Sequence, residues 1–186
     1  MMPVWGIDGY RRGWLGVWIE NEERGFALFN TATELIALNA PMLMIDIPIG
    51  LPDSGYRGCD LGARKLLSGA ESRVFLGLRR PLLEYLSDYP RANAWAKTDG
   101  KGLAKHAFAI LPKVASVDSV LSPPHQSRFR ESHPEVVFWR LSGGTVLPSK
   151  HTAEGLKARR DLLLARCKAI ATVSHALLRP TQEDCR

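Results

Sequence analysis

The chain has 186 residues, 45% hydrophobic and 24% charged, a balance that implies one globular domain over 1–186 and excludes a disordered or fibrous chain. Cys59, Cys167 and Cys185 form neither a disulfide framework nor a CxxC pair, and neither a leader nor a run of about 18 apolar residues is present, so a cytoplasmic protein without membrane contact is expected. The net charge of +6 lies in the second half: residues 1–100 carry 11 Lys and Arg against 12 Asp and Glu, residues 101–186 carry 14 against 7, and such a basic half suits polyanions.

Val4 to Glu20 reads as two strands joined by a tight turn within Gly9 to Gly13. Asp8 stands inside the first apolar run, where a carboxylate is costly to bury unless a cation or several donors compensate it. Its simpler role would be to bond backbone amides of the turn. Gly25 to Asn30 continues an antiparallel meander as a third strand. Thr31 or Thr33 can cap a short helix over Glu34 to Leu38, which Pro41 closes.

Met42 to Ile47 is apolar apart from Asp46, as expected for a strand buried on both faces, and it stops at Pro48-Ile49-Gly50-Leu51-Pro52. A helix between the meander and this strand can set it parallel to the first one, with Asp8 and Asp46 as neighbours near the strands' C-terminal ends. Two carboxylates so placed repel unless one is protonated or a divalent cation lies between them. Oxygen ligands of this kind suit Mg²⁺ or Mn²⁺.

Residues 53–127 form a helical insertion. One helix is expected from Cys59 to Leu67 and another from Pro81 to Leu86. A third spans Ala92 to Ile110 and is interrupted near Asp99 to Gly102. Most arginines here belong on a solvated face, but Arg57 and Arg64 follow the Pro-Gly turn after Asp46 and are candidates for function. Arg128 to Glu135 suggests a last short strand entering a helix at Pro134, with Glu135 at its positive end and Gly143-Gly144 closing it. Glu131 and His133 have no such local explanation. Thr152 then caps a long helix whose buried stripe would be Leu156, Leu163, Cys167, Ile170 and Leu177. Lys157, Arg159, Arg160, Arg166 and Lys168 would lie on its solvated face, before a polar, frayed tail from Pro180.

The blocks Gly6-Ile7-Asp8-Gly9 with Gly13-Trp14, Ile45 to Pro52, Arg57-Gly58-Cys59-Asp60, Ala63-Arg64, Pro112-Lys113, Asp118, Glu131 to Glu135 and Lys150 with Arg159 occur in one order. This order resembles an uncharacterised bacterial and archaeal family described as predicted nucleases of the ribonuclease H fold. The resemblance implies an α/β, ribonuclease H-like mixed five-stranded sheet, an antiparallel meander plus parallel strands, with flanking helices. It also implies a nuclease whose Asp8 and Asp46 hold Mg²⁺ or Mn²⁺, with Glu131 as further ligand or base and Glu131 or Asp118 standing in for a missing acid. Arg57, Arg64, Lys113, His133 and Lys150 would contact a nucleic-acid substrate. Two departures stand out: Ser116 occupies a position where relatives carry Glu, and the chain reaches Arg186 without the relatives' terminal Asp-Asp helix. The alternatives are a non-catalytic nucleic-acid-binding protein with an incomplete site and, ranked below it, an actin-like phosphotransferase.

Overall fold

The computed structural model describes residues 2–166. Five strands form one mixed sheet in the order β3-β2-β1-β4-β5. β1 (Val4–Tyr10), β2 (Gly13–Glu20) and β3 (Glu23–Phe29) are the antiparallel meander, and β4 (Met42–Ile45) and β5 (Phe129–Glu131) run parallel to β1. This α/β sheet with flanking helices is consistent with the ribonuclease H-like arrangement.

The meander is built by alternation and two tight turns. Trp5, Ile7 and Trp14 face inward, and Trp5 packs against Trp18 and edge-on to Phe29, with centroids 6.4 and 5.7 Å apart. Gly16 makes room for that cluster, since a Cβ there would lie 2.9 Å from the Trp5 ring. The turn Asn21-Glu22 puts an asparagine at φ +54°, a left-handed conformation that Asn tolerates well, whereas the turn Arg11-Arg12 puts an arginine at φ +41°.

Helices cover the face that carries Trp5, Ile7, Leu43, Ile45 and Phe129. α1 (Ala32–Ile36) is capped by Thr31, whose hydroxyl accepts the Glu34 N–H while Glu34 accepts the Thr31 N–H. Of the insertion's helices, α3 (Tyr89–Thr98) and α4 (Lys105–Asp118) join this core through Ala92, Ala96, Ala107, Leu111, Val114 and Val117. The interruption expected near Asp99 to Gly102 is present, with Asp99 to Ala104 separating the two helices. Pro81 to Leu86 forms a 3₁₀ turn over Arg80–Tyr85 instead of an α-helix. α2 (Gly58–Leu66) and α5 (Pro134–Leu141) follow as the sequence suggests, and α6 (Ala153–Arg166) starts where Thr152 is expected to cap it. No helix among the described residues is long and apolar enough to cross a membrane.

β4 departs from expectation: Leu43 and Ile45 are buried, but Met42, Met44 and Asp46 on the other face are only half-buried. Asp8 is exposed, because the helical layer packs on the face opposite to it. α6 departs too. Its buried positions are Gly155 and Arg159, and Leu156 is 59% exposed. The remaining stripe and solvated-face positions Cys167, Lys168, Ile170 and Leu177, and the tail from Pro180, lie outside the described residues.

Candidate active site

The parallel pairing of β1 with β4 matches Gly6 to Met44 and Ile7 to Ile45, and the Asp46 N–H donates to the Ile7 carbonyl at 3.0 Å. The next positions in that register are Asp8 and Asp46. They share one face of the sheet at the C-terminal ends of strands about 4.8 Å apart. Asp8 Oδ1 accepts the Gly9 N–H at 2.7 Å, the local turn role open to it.

Asp46 differs. Among the described residues no hydrogen bond or ion pair reaches its carboxylate. Burial pushes its pKa up to about 6; His133 and Lys150 pull it down, and the neighbouring charges of Asp8 and Glu131 push it further up. Besides burial, the charges that act on Asp46 at this end of the sheet are those of His133, Asp8, Lys150 and Glu131.

Glu131 is near but committed elsewhere. Its carboxylate receives Arg57 Nη1 at 2.6 Å and Nη2 at 2.8 Å, and also the Ile49 N–H at 2.9 Å. Arg57 in turn grips Asp60 through Nε at 2.9 Å and Nη2 at 2.5 Å, and donates to the Ile49 carbonyl at 3.0 Å. Burial alone would lower the Arg57 pKa, but the hydrogen bonds it donates to Glu131 and Asp60 reverse that and raise it. The trio clamps the Pro48 to Gly50 turn just beyond Asp46. This corrects the expectation for Arg57: a buried guanidinium with its fork filled has nothing left for a substrate phosphate.

Asp118 is corrected likewise. It ends α4 in a bidentate pair with Arg80, at 2.7 and 3.0 Å, and does not join the two aspartates. Among the described residues no three His, Cys, Asp or Glu side chains gather closely enough to hold a metal ion. The set of Asp8, Asp46, Glu131 and Asp118 is therefore reduced to a pair. A pair still fits Mg²⁺ chemistry, because that ion keeps several waters and commonly takes only one or two carboxylates plus phosphate oxygens. The half-buried Asp46, without a donor of its own, is the observation that fits it.

Arg64 donates to the Val74 carbonyl at 3.3 Å. Lys113 sits nearer Asp8: its methylenes lie against Gly9, where a Cβ would be 2.9 Å from Lys113 Cδ. Its ammonium donates to the Gly13 carbonyl at 2.5 Å and lies 4.6 Å from the centre of the Trp14 ring. Burial lowers its pKa, and the charge of Asp8 opposes that shift. His133 Nε2 bonds the Arg73 carbonyl at 3.2 Å, and its buried Nδ1 has no partner among the described residues. His133 borders a largely apolar cleft of about 400 Å³ between Met44, α2 and α5, with Cys59 at its edge.

The sequence alone missed the second clamp. Arg159, expected on a solvated face, is 7% exposed and holds Glu135 with Nη2 at 2.8 Å to both carboxylate oxygens, while Arg73 donates to the same group at 2.7 Å. Gly155 lets α6 lie flat on Ser149, whose carbonyl would be 2.0 Å from a Cβ. A glycine one turn before an arginine was the only local sign.

A family model described as Protein of unknown function (DUF429) matches residues 6–185. The chain belongs to that family. The DUF429 match takes in Asp8, Asp46, Glu131 and Lys150, and also Glu183 and Asp184, which lie outside the described residues. No curated protein and no solved structure matches the chain.

Proposed function

We propose that this DUF429 protein is a metal-dependent nuclease hydrolysing phosphodiester bonds in nucleic acid. The reading rests on one observation: two carboxylates side by side at the ends of parallel strands, one half-buried and without a donor. Asp8 and Asp46 hold Mg²⁺ or Mn²⁺, which supplies a nucleophilic water at neutral pH and charge stabilisation at the leaving oxygen. Lys150, on the Asp46 side, and Lys113, on the Asp8 side, draw the phosphate in as point charges. His133 is fixed beside Asp46 by the bond between its Nε2 and the Arg73 carbonyl. Glu131 and Arg57 act one layer out by fixing the turn beside Asp46.

The test is cleavage of labelled single-stranded, duplex, hybrid and branched nucleic acids with Mg²⁺ or Mn²⁺, beside Asp8→Asn and Asp46→Asn proteins. Metal-stimulated cleavage lost in both variants is the expected result. Cleavage that survives in Asp46→Asn overturns it. The engagement of Glu131 by Arg57 favours one other reading, a non-catalytic nucleic-acid-binding protein. Salt-sensitive binding without turnover on any substrate would select that reading.

A further inference from the structure

The C-terminal end of β1 also borders a second cleft, of about 550 Å³, on the side where α4 packs. Its lining includes Arg11 and Arg12 from the β1–β2 turn, Lys113 and Ser116 from α4, and Thr33 from α1, with Trp14 as a wall. Three cations and no carboxylate face this space. Arg12 forms no hydrogen bond or ion pair among the described residues, unlike the buried arginines that hold the fold. Lys113 gives one of its three N–H donors to the Gly13 carbonyl and sets its charge on the Trp14 ring, which leaves donor capacity for the cleft. The turn is a two-residue connection held between paired strands, with Arg11 at φ +41°, so the arginines project from a fixed base and not from a long loop.

The Arg12 guanidinium fork and the Lys113 ammonium, in a cleft with no carboxylate in its lining, are suited to an anion with several acceptor oxygens. Asp8 lies on the other face of the sheet, and Lys113, packed against Gly9 and close enough to feel the Asp8 charge, is the residue common to the two sides. We propose that the cleft seats a phosphate of the substrate strand, flanking the bond presented to Asp8 and Asp46, and that Arg12 and Lys113 hold it. The identity of the strand rests on the nucleic-acid reading above; the binding does not depend on catalysis. A terminal monoester and a backbone diester carry the same chemistry here, and the experiment separates them.

Fluorescence anisotropy of a short labelled DNA single strand, at low salt and without divalent cation, reads the site directly. The arms are a strand with a 5′-hydroxyl, the same strand with a 5′-phosphate, and one with a neutral methylphosphonate backbone; inorganic phosphate serves as competitor. Arg12→Ala should weaken binding several-fold and flatten the salt dependence by about one unit of slope. Arg12→Glu should weaken it further, and Lys113→Gln should resemble Arg12→Ala. Arg160→Ala, which removes an exposed arginine on α6, should change nothing. A preference for the 5′-phosphate assigns the cleft to a strand end; equal binding with loss on the neutral strand assigns it to the backbone. Arg12→Glu and Lys113→Gln both binding as the unaltered protein does, or no binding of DNA or phosphate by the unaltered protein, overturns the proposal. A protein that binds through Arg12 yet cleaves nothing would remove the proposed activity and leave this cleft standing.

Discussion

Two groups of acids lie on either side of β5, and the protein treats them in opposite ways. Glu135 is half-buried, and Arg159 and Arg73 outweigh the cost of that burial and hold its carboxyl below the ordinary glutamate range. Asp46, at the end of the neighbouring strand, is partly buried with no such fork, and its pKa rises to about 6. A fold that supplies arginines to Glu135, Asp60 and Glu131 has left Asp46 without one. The contrast separates acids that fasten elements together from one that fastens nothing among the described residues, and the proposed function gives that acid a ligand.

The sharpest way to break that contrast is to remove a fastening. Arg159→Ala leaves the half-buried Glu135 with Arg73 as its one arginine partner, and should lower stability by about 1.5–3 kcal/mol in denaturant unfolding. Asp46→Asn should act in the opposite sense. The folded protein holds the Asp46 proton more tightly than the unfolded chain does, with pKa values near 6 and 3.8. Stability from this group is full below the lower value and is lost as pH rises through the higher one. Measured without metal at pH 8, the variant should be about 1–2 kcal/mol more stable, after allowing for solvent around the group, and that gain should vanish below about pH 4. Calorimetry across that range decides it, and equal stabilities at pH 8 would remove the contrast.

Divalent cation should sharpen it further. Saturating Mg²⁺ or Mn²⁺ should raise the melting temperature by a few degrees, about 1 kcal/mol of linkage, and should do so only while Asp8 and Asp46 are both present. At the small end, Lys157→Ala breaks an ion pair whose side chains are 77% and 54% exposed, so its stability should stay within about 0.5 kcal/mol of the parent. A larger loss there would mean that exposure is the wrong guide to which charges matter.

What could be read in advance follows the range of the interactions involved. The meander, the capping box at Thr31 and the approach of Asp8 to Asp46 are set by alternation, turn residues and one short crossover, all within the first 46 residues. The clamps could not be read. Arg57 meets Glu131 across 74 residues and Arg159 meets Glu135 across 24, and an arginine at helical spacing looks the same in sequence whether it faces water or a buried carboxylate. For the same reason Glu131 looked like a free strand acid. The exposure of Asp8 depended on which face of the sheet the helices chose, and the apolar run around it is silent on that point. Nor do paired arginines in a hairpin turn announce a cleft, because its opposite wall, α4, lies about a hundred residues further on.

The parallel order of the sheet also has a consequence for biosynthesis. A chain emerging from the ribosome completes β4 long before β5, since Phe129 to Glu131 follow only after the whole helical insertion. Through that interval Met42 to Ile47 is an apolar strand with one bare edge, the kind of segment that recruits like strands from other nascent chains. Asp46 is its single charge. The residue proposed to hold a cation in the finished protein is thus, while the protein is being made, also the one charge that interrupts this aggregation-prone run.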